Sequence, residues 1–225
     1  MDATPVSIPV DDAQHVSGLF TRPRAARACF VFAHGAGAGM THPFMDAFAS
    51  DLAARGIACL RYQFPFMERG SKRPDSPSAA HATVRAAVAA ASKLAPKLPL
   101  FAGGKSFGGR MTSQAQAESP LQGVRGLAFV GFPLHPAGKP GVARAEHLSR
   151  VNVPMLFLQG DRDTLADLAL LNTVAKRLGA RTRLEVFPQA DHAFHVPARS
   201  GRTDAEVRGQ IAETLSAWID EVSRA

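Results

Sequence analysis

Short apolar runs that alternate with helical segments constrain the fold of this chain most strongly. Six runs rich in Val, Phe, Leu and Ile are mostly continuous rather than alternating, at 28–33, 57–62, 98–102, 126–130, 154–159 and 183–187. Such runs are typical of parallel strands buried on both faces. Two weaker stretches, 6–10 and 16–21, flank Asp11 and Asp12 and predict an edge hairpin. Together they predict a mostly parallel central sheet of about seven or eight strands.

The segments between these runs have helical character, at 43–55, 78–94, 106–117, 164–178 and 203–222. In the second segment, Val84, Val88 and Leu94 fall near helical spacing, and Ser78 is a candidate N-cap. The alternation predicts an α/β fold, a three-layer α/β/α sandwich with helices on both faces of the sheet. No repeat or linker interrupts the chain, so we expect one domain over 1–225.

Composition and charge disfavour several classes of protein. Hydrophobic residues make up 46% of the chain and charged residues 20%, which indicates a folded protein. The net charge of +7 comes from scattered arginines, and with one Trp and one Tyr we expect no nucleic-acid partner but a modest attraction of anionic substrates. No apolar run approaches the roughly 18 to 20 residues of a membrane span, and no secretory leader is apparent. Cys29 and Cys59 fall in apolar runs, as free buried thiols of a cytoplasmic protein would.

The stretch Leu100-Phe-Ala-Gly-Gly-Lys-Ser-Phe-Gly-Gly-Arg110 carries the strongest sign of chemistry. It places Ser106, with Gly104 and Gly108 two residues to either side, between a predicted strand and a predicted helix, the context of a nucleophile elbow. Glycines allow a strained turn that projects the serine hydroxyl, and the start of the helix directs N–H groups at developing negative charge. A plain glycine-rich turn is the alternative. A phosphate-binding loop is disfavoured because Pro99 replaces its upstream glycine.

A second small-residue loop, His34-Gly-Ala-Gly-Ala-Gly39, also follows a predicted strand and leads into a helix. Such a loop lets main-chain N–H groups approach a substrate oxygen, and the N–H groups of Ala36 and Phe107 are the candidate oxyanion donors. The alternative is a dinucleotide-binding glycine turn. It is disfavoured because His34 takes the first position and no acidic residue ends the next predicted strand.

An acid and a base complete this set of candidates. Asp161 and Asp163 both follow the predicted strand at 154–159, and the Gly-x-x-Asp spacing favours Asp163 over Asp161, which suits a turn. His192 follows the last predicted strand as the candidate base, with His195 and Asp191 as alternatives. The chain order Ser106, Asp163, His192 is that expected of an α/β hydrolase.

The remaining histidines carry no comparable pattern. The arrangement Asp191-His192-x-x-His195 could suggest a metal, but a second ligand cluster is lacking, so we expect no metal and no other cofactor. We expect surface or loop positions for the five other histidines, at 15, 42, 81, 135 and 147.

With these segments in place, the chain resembles the α/β-hydrolase superfamily over nearly its whole length, and within it the small dienelactone-hydrolase-like hydrolases. The His34-Gly-Ala-Gly-Ala-Gly loop and the Gly-Gly-Lys-Ser106-Phe-Gly-Gly-Arg stretch are similar to an uncharacterised bacterial branch. The resemblance implies a Ser106-His192-Asp163 catalytic triad acting on a small ester or thioester through an acyl-enzyme. Dienelactone hydrolases proper use cysteine where this chain has Ser106, which puts that substrate in doubt.

Several expectations concern the pocket. Only about 20 residues, 132–153, stand where larger relatives insert a cap domain, so we expect no separate cap and an open pocket for a small-molecule substrate. The candidate substrate-binding residues are His34, Gly35, Lys105 and Phe132, and Lys105, Arg110 and Arg61 could attract a carboxylate.

Other functions and the state of association remain open at this point. A non-catalytic interaction protein of the same fold is one alternative, and a hydrolase acting on peptide or carbon–carbon bonds is another. We expect a monomer or a homodimer. The Phe64-Pro-Phe-Met67 segment could line the pocket or contact a partner subunit, but core packing is the simpler interpretation.

Overall fold

Eight strands form one sheet in the computed structural model, which describes residues 2–224. In chain order the strands are β1 (Thr4–Pro9), β2 (His15–Thr21), β3 (Ala28–Ala33), β4 (Ile57–Tyr62), β5 (Leu100–Lys105), β6 (Val124–Val130), β7 (Met155–Gly160) and β8 (Thr182–Phe187). Their order across the sheet is β1-β2-β4-β3-β5-β6-β7-β8. β1 and β2 pair antiparallel, as does β2 with β4, and the other pairs are parallel. The predicted edge hairpin and mostly parallel sheet are therefore confirmed.

Within the described part of the chain, the sheet is accompanied by six α-helices: α1 (Pro43–Ala54), α2 (Pro65–Glu68), α3 (Pro77–Leu94), α4 (Phe107–Glu118), α5 (Leu168–Leu178) and α6 (Asp204–Arg224). Three short 3₁₀ segments lie at Ala143–Arg150, Gly179–Arg181 and Ala198–Ser200. Side chains of α1 and α6 share one hydrophobic cluster with one face of the sheet, and those of α3, α4 and α5 share a second cluster with the other face. The three-layer α/β/α architecture is thus confirmed.

Alternation along the strands divides the core between the two faces. In β3, Phe30 and Phe32 point into the cluster with α1 and α6, while Cys29 and Val31 point into the opposite cluster. All six residues of β3 are buried, which explains why its sequence is continuously apolar. Cys29 and Cys59 are free and buried, as predicted.

Local sequence sets where the helices begin, and two predicted starts were wrong. Ser76, rather than Ser78, caps α3: its hydroxyl accepts from the Ala79 N–H, and Pro77 occupies the first turn. The segment predicted from 164 becomes helical only at Leu168, because Asp167 is the N-cap and accepts from the Leu170 N–H. Residues 164–167 instead form a turn that follows Asp163.

The strand predicted at 98–102 lies farther along the chain in the structure, at Leu100–Lys105. β5 runs through Lys105, so Ser106 is the single residue between this strand and α4. The connection from β6 to β7, residues 131–154, contains only the 3₁₀ segment Ala143–Arg150 and no inserted cap. Among the residues described, 2–224, we find no helix with the length and apolar character needed to cross a bilayer.

Topology brings the candidate residues together. Loops that follow the carboxyl ends of neighbouring parallel strands meet at one edge of a sheet, which is where ligands bind in open α/β folds. The small-residue loop follows β3, Ser106 follows β5, Asp163 follows β7 and His192 follows β8. The segment 64–67 belongs to the core, since Phe64 and Phe66 are fully buried and both rings contact the ring of Phe107.

Candidate active site

Ser106 lies on a strained turn between β5 and α4. Its φ of 51° and ψ of −115° are unusual for a residue with a side chain. The Ser106 N–H donates to the Val130 carbonyl at 3.1 Å, which ties the turn to β6. We call residues 103–109 the serine turn.

Glycines of the serine turn are required by close main-chain approach rather than by their own dihedral angles. A Cβ on Gly108 would lie 2.5 Å from the His34 carbonyl oxygen, and one on Gly104 would lie 2.6 Å from that of Ala33. A Cβ on Gly103 would overlap the carbonyl oxygen of Ala128. Since Cβ atoms are not found at such distances, this turn can pack between β3 and β6 only with glycine at these positions.

A chain of hydrogen bonds joins Ser106, His192 and Asp163. His192 Nε2 lies 2.8 Å from Ser106 Oγ, and His192 Nδ1 lies 2.6 Å from Asp163 Oδ2. A carboxylate beside Nδ1 favours the tautomer with its proton there, which leaves Nε2 free to accept from the serine hydroxyl. The Asp163 side chain is fully buried and that of His192 is 26% exposed. The histidine can therefore meet a molecule from solvent while the carboxylate cannot.

Buried donors hold Asp163 in place. Gln159, in β7, donates from Nε2 to Asp163 Oδ2 at 2.5 Å, and the Leu165 N–H donates to Oδ1 at 2.7 Å. The alternative acid, Asp161, is exposed on the turn after β7, and only Asp163 is bonded to His192. Sequence reasoning missed Gln159. A glutamine inside a continuously apolar strand was the available signal, because buried amides need partners.

Carboxylates and one lysine position the loop around His192, residues 188–196, which we call the histidine loop. Asp191 Oδ1 accepts from the N–H groups of Ala193 and His195 at 2.8 and 2.9 Å. Lys105 Nζ donates to the His192 carbonyl oxygen. The alternative base His195 points away, with Nδ1 2.9 Å from Asp204 on the surface.

Lys105 lies under the histidine loop, and its ammonium group contacts protein. Nζ lies 5.2 Å from the centroid of the Phe194 ring, in addition to its bond to the His192 carbonyl. Burial lowers the pKa of Lys105 to about 8, although the Asp163 and Asp191 carboxylates oppose the shift. The ammonium thus donates to the loop, while Lys105 also lines a cavity beside Ser106, so its role in substrate binding stays a prediction.

His34 and Phe132 differ from their predicted places. His34 is fully buried: Nε2 accepts from the Phe64 N–H at 3.0 Å and Nδ1 donates to the Gly35 carbonyl at 2.7 Å. Burial lowers the pKa of His34 to about 4. Phe132 is fully buried among core aromatic rings, and its N–H donates to Gln159 Oε1. These two side chains support the site from behind and do not line it.

Arg61 is likewise a core residue and not an attractor of substrate. It is 1% exposed, and its guanidinium pairs with Asp46 Oδ1 at 2.9 Å and donates to the Met40 carbonyl. Buried arginines are tolerated when such partners compensate the lost hydration. Arg61 therefore fixes the segment that leads from the small-residue loop into α1.

A second serine–histidine pair lies farther along α4. Ser113 Oγ is 2.8 Å from His147 Nε2, but the Ser113 hydroxyl donates to the Arg110 carbonyl, so the imidazole does not receive its proton. Both side chains are buried, and burial with the positive charge of Arg110 and Arg150 lowers the pKa of His147 to about 4. His147, buried within the 3₁₀ segment Ala143–Arg150, departs from the predicted surface or loop position. His135 is also buried but lies in the loop after β6, as predicted.

With this geometry in place, comparison with known proteins assigns the family. A model described as an alpha/beta hydrolase domain matches residues 26–220, which is most of the chain. The chain belongs to the α/β-hydrolase family. The matched region includes all four loops described above, and the recognition based on the two glycine-rich motifs is confirmed.

Solved structures of α/β hydrolases share this fold over nearly the whole chain. A dienelactone hydrolase from Anabaena variabilis is 22% identical, with a TM-score of 0.79 and coverage of 98% of this chain and 97% of that one. A serine hydrolase without a lid from Xanthomonas campestris is 20% identical, with a TM-score of 0.75 and coverage of 97% and 95%. At these identities the similarity concerns the fold, and the lidless architecture agrees with the short β6–β7 connection.

Two cavities of this α/β hydrolase meet at Ser106. One, of about 480 Å³, has mostly apolar walls and includes Gly35, Phe44, Met45 and His192. Its walls include His42, an exposed loop residue, as predicted, which also caps α1. The other cavity, of about 420 Å³, lies on the side of α4 and is lined in part by Phe107, Arg110 and Arg144. Ala36 and Leu165 line both cavities.

Proposed function

We propose that this protein is a serine hydrolase that cleaves a small ester or thioester through an acyl-enzyme, with Ser106 as nucleophile, His192 as general base and Asp163 as the orienting acid. The observation that carries the proposal is the continuous hydrogen-bonded chain from Asp163 through His192 to Ser106 Oγ. A serine hydroxyl is a weak nucleophile unless an adjacent base accepts its proton, and this geometry supplies that base.

The reaction takes two steps. His192 Nε2 accepts the Ser106 proton as Oγ attacks the carbonyl carbon, and the imidazolium then protonates the leaving alcohol or thiol. Water, deprotonated by the same nitrogen, attacks the acyl-enzyme and releases the acid while the proton returns to Ser106. The Asp163 carboxylate stabilises the imidazolium in both steps, and Gln159 and the Leu165 N–H hold that carboxylate.

The N–H groups of Ala36 and Phe107 are our candidates for the oxyanion hole. Within residues 2–224, neither N–H donates to a backbone or side-chain acceptor. Both residues line the walls around Ser106, and Phe107 is the first residue of α4, where unpaired N–H groups point outward. Two such donors would stabilise the negative charge that develops on the oxygen of the tetrahedral intermediate.

The cavities favour a small substrate. Each holds several hundred cubic ångströms, about the lower half of the range for small-molecule pockets. No cap domain formed by residues 2–224 covers Ser106, because the β6–β7 connection carries only one 3₁₀ segment. An acyl group of a few carbons fits the apolar cavity beside Phe44 and Met45, whereas a long lipid chain would leave much of its length in water.

Steady-state hydrolysis of 4-nitrophenyl acetate and butyrate tests the proposal. Ser106→Ala should reduce kcat by about 10³-fold or more, and Asp163→Asn by about 10³- to 10⁴-fold, because asparagine favours the wrong histidine tautomer. Asp161→Asn is the matched control, since this exposed neighbour is not hydrogen-bonded to His192 and the change should leave kcat within about twofold. Wild-type turnover by folded Ser106→Ala protein would overturn the proposal, and folded wild-type protein inert toward all esters would favour a non-catalytic role.

A further inference from the structure

The cavity on the α4 side of Ser106 contains two arginines without acidic partners. Arg110 and Arg144 both line it, yet neither forms an ion pair with any carboxylate among residues 2–224. Arg110 Nε is buried and has no hydrogen-bond partner within the described chain. Two cationic side chains without acidic partners at a cavity wall point to a ligand that supplies the negative charge.

Other arginines of this protein show what is missing at Arg110. Arg61 Nε is also buried and unpaired, but the other nitrogens of that guanidinium meet Asp46 and the Met40 carbonyl. Arg208 donates to Asp51 at 2.7 Å. Arg110 instead has the positively charged Arg144 as a neighbour. Burial lowers the pKa of Arg110, and the charge of Arg144 lowers it further. The cavity therefore concentrates positive charge that the fold itself leaves uncompensated.

One carboxylate does line the same cavity, but its oxygens are occupied. Asp75 Oδ2 accepts from the Phe66 N–H at 2.8 Å, and Oδ1 pairs with Arg69 at 2.7 Å. Its charge is thus balanced by Arg69, which leaves Arg110 and Arg144 as the excess charge of the cavity wall. A neutral substrate would leave this excess in place, whereas an anionic group would offset it.

We propose that Arg110 and Arg144 form a subsite for an anionic group of the substrate, beside the scissile carbonyl at Ser106. This inference rests on the hydrolase function proposed above and narrows its substrate to an ester that carries a carboxylate or a comparable oxyanion. The negative group enters the α4-side cavity and the uncharged part of the substrate occupies the apolar cavity, since both cavities open at Ser106. Guanidinium groups suit this role because they bind oxyanions through paired N–H donors.

The kinetic test compares anionic and neutral aryl acetates of similar reactivity, 3- and 4-acetoxybenzoate against the corresponding acetoxybenzamides, at fixed ionic strength. Wild-type protein should prefer at least one benzoate isomer by about tenfold or more in kcat/KM, as expected for charge-assisted hydrogen bonds. Arg110→Gln and Arg144→Gln should each lower that preference by about tenfold. A merely structural defect would reduce both esters together and leave the ratio unchanged.

Arg150→Gln is the matched control, because Arg150 is an exposed arginine of the same 3₁₀ segment as Arg144 but does not line the cavity. It should leave both the ratio and the basal activity unchanged. Equal specificity constants of the wild-type protein for all four substrates would overturn the subsite. So would an unaltered ratio of kcat/KM between benzoate and benzamide in both Arg110→Gln and Arg144→Gln. The half-buried Arg144 side chain makes no hydrogen bond or ion pair with residues 2–224, so Arg144→Gln serves even where Arg110→Gln does not fold.

A binding measurement separates this inference from the hydrolase proposal. Saturation-transfer NMR on Ser106→Ala protein should give a clear signal from bound 3- or 4-hydroxybenzoate and a much weaker signal from the hydroxybenzamides. The benzoate signal should be lost when Arg144→Gln is added to this variant. This result with no ester hydrolysis by wild-type protein would retain the anion subsite and refute the hydrolase. Equal signals from benzoate and benzamide would refute the subsite whatever the activity.

Discussion

The serine turn and the histidine loop bring partner side chains to within 2.8 Å of each other by different physical means. Main-chain contact fixes the serine turn, because the glycines at 103, 104 and 108 lie against carbonyl groups of β3 and β6. Side-chain hydrogen bonds fix most of the histidine loop, from Asp191, Lys105 and Asp204. The histidine loop makes such a close main-chain contact only with Gly160, where a Cβ would overlap the Ala190 carbonyl oxygen.

The difference predicts different responses to mutation. A main-chain contact cannot be relaxed without moving a strand, so changes in the serine turn should affect stability as a whole. A loop held by several separate hydrogen bonds can lose one of them and remain folded, with the histidine displaced by a fraction of an ångström. Changes in the histidine loop should therefore reduce turnover more than stability.

Gly103→Ala should produce the largest effect. The new Cβ would overlap the Ala128 carbonyl oxygen, so β5 and β6 would have to separate, and we expect a loss of about 4 kcal/mol or more, or no folded protein. Urea unfolding measures the loss. Gly141→Ala is the control, because no atom lies within 4 Å of its Cβ position, and it should change stability by less than about 0.5 kcal/mol.

Protonation of His34 at acidic pH should destabilise the fold beside the serine turn. Burial lowers the pKa of His34 to about 4 from its ordinary value of 6.5, so between these values the unfolded chain binds more protons than the folded one. Stability should therefore fall as the pH drops from 6.5 to 4, by up to about 3 kcal/mol from this group.

Urea unfolding of wild-type and His34→Gln protein between pH 7 and pH 4 measures the contribution of His34. The glutamine oxygen can still accept from the Phe64 N–H but does not titrate, so the variant should lose less stability on acidification. His15→Gln, at an exposed position, should follow the wild-type curve. Parallel curves for wild type and His34→Gln would contradict the assignment.

Asp191→Ala should have an intermediate effect, on the histidine loop. The Ala193 and His195 N–H groups lose their shared acceptor, and we expect about 1 to 2 kcal/mol of destabilisation with a roughly tenfold lower kcat. Thermal unfolding and ester kinetics measure the two effects. Asp191→Asn keeps an oxygen acceptor and should recover most of the stability and most of kcat. Equal losses of stability and kcat in Asp191→Ala and Asp191→Asn would argue against the hydrogen-bonding role.

Lys105→Met should have the smallest effect of the four. The apolar chain keeps its place beside Phe194 but loses the bond from Nζ to the His192 carbonyl, so kcat should fall about three- to tenfold while KM changes little. Lys105→Arg should restore part of the loss. A rise in KM with constant kcat would instead support the original prediction that Lys105 binds substrate.

The same contrast explains what the sequence could predict. The Gly-Gly-Lys-Ser106-Phe-Gly-Gly pattern predicts the serine turn because main-chain crowding demands glycine at fixed spacing, and each demand is visible in the sequence. The layers and nearly all strands follow from apolar runs long enough to be unambiguous. Chain order and the Gly-x-x-Asp spacing were enough to propose Asp163 and His192, and these two side chains are hydrogen-bonded to each other.

Contacts between distant segments could not be predicted. The pairing of Gln159 with Asp163, the bond from Lys105 to the histidine loop and the burial of His34 each depend on tertiary packing that a local pattern does not encode. The cap of α3 is Ser76 rather than the predicted Ser78, because Pro77 suits the first turn of a helix and so places the cap one residue before it. The unpaired state of Arg110 likewise depends on which carboxylates the fold brings near.

Covalent labelling with a fluorophosphonate probe tests the central claim, that Ser106 is a nucleophile activated by His192, most directly. Folded wild-type protein should form one adduct, located on Ser106 by peptide mass spectrometry, and both Ser106→Ala and His192→Ala should abolish it. Ser113→Ala should label like wild type, because the Ser113 hydroxyl donates to a carbonyl and its histidine partner lacks a carboxylate. Folded wild-type protein without label, or label that persists in Ser106→Ala, would contradict the account.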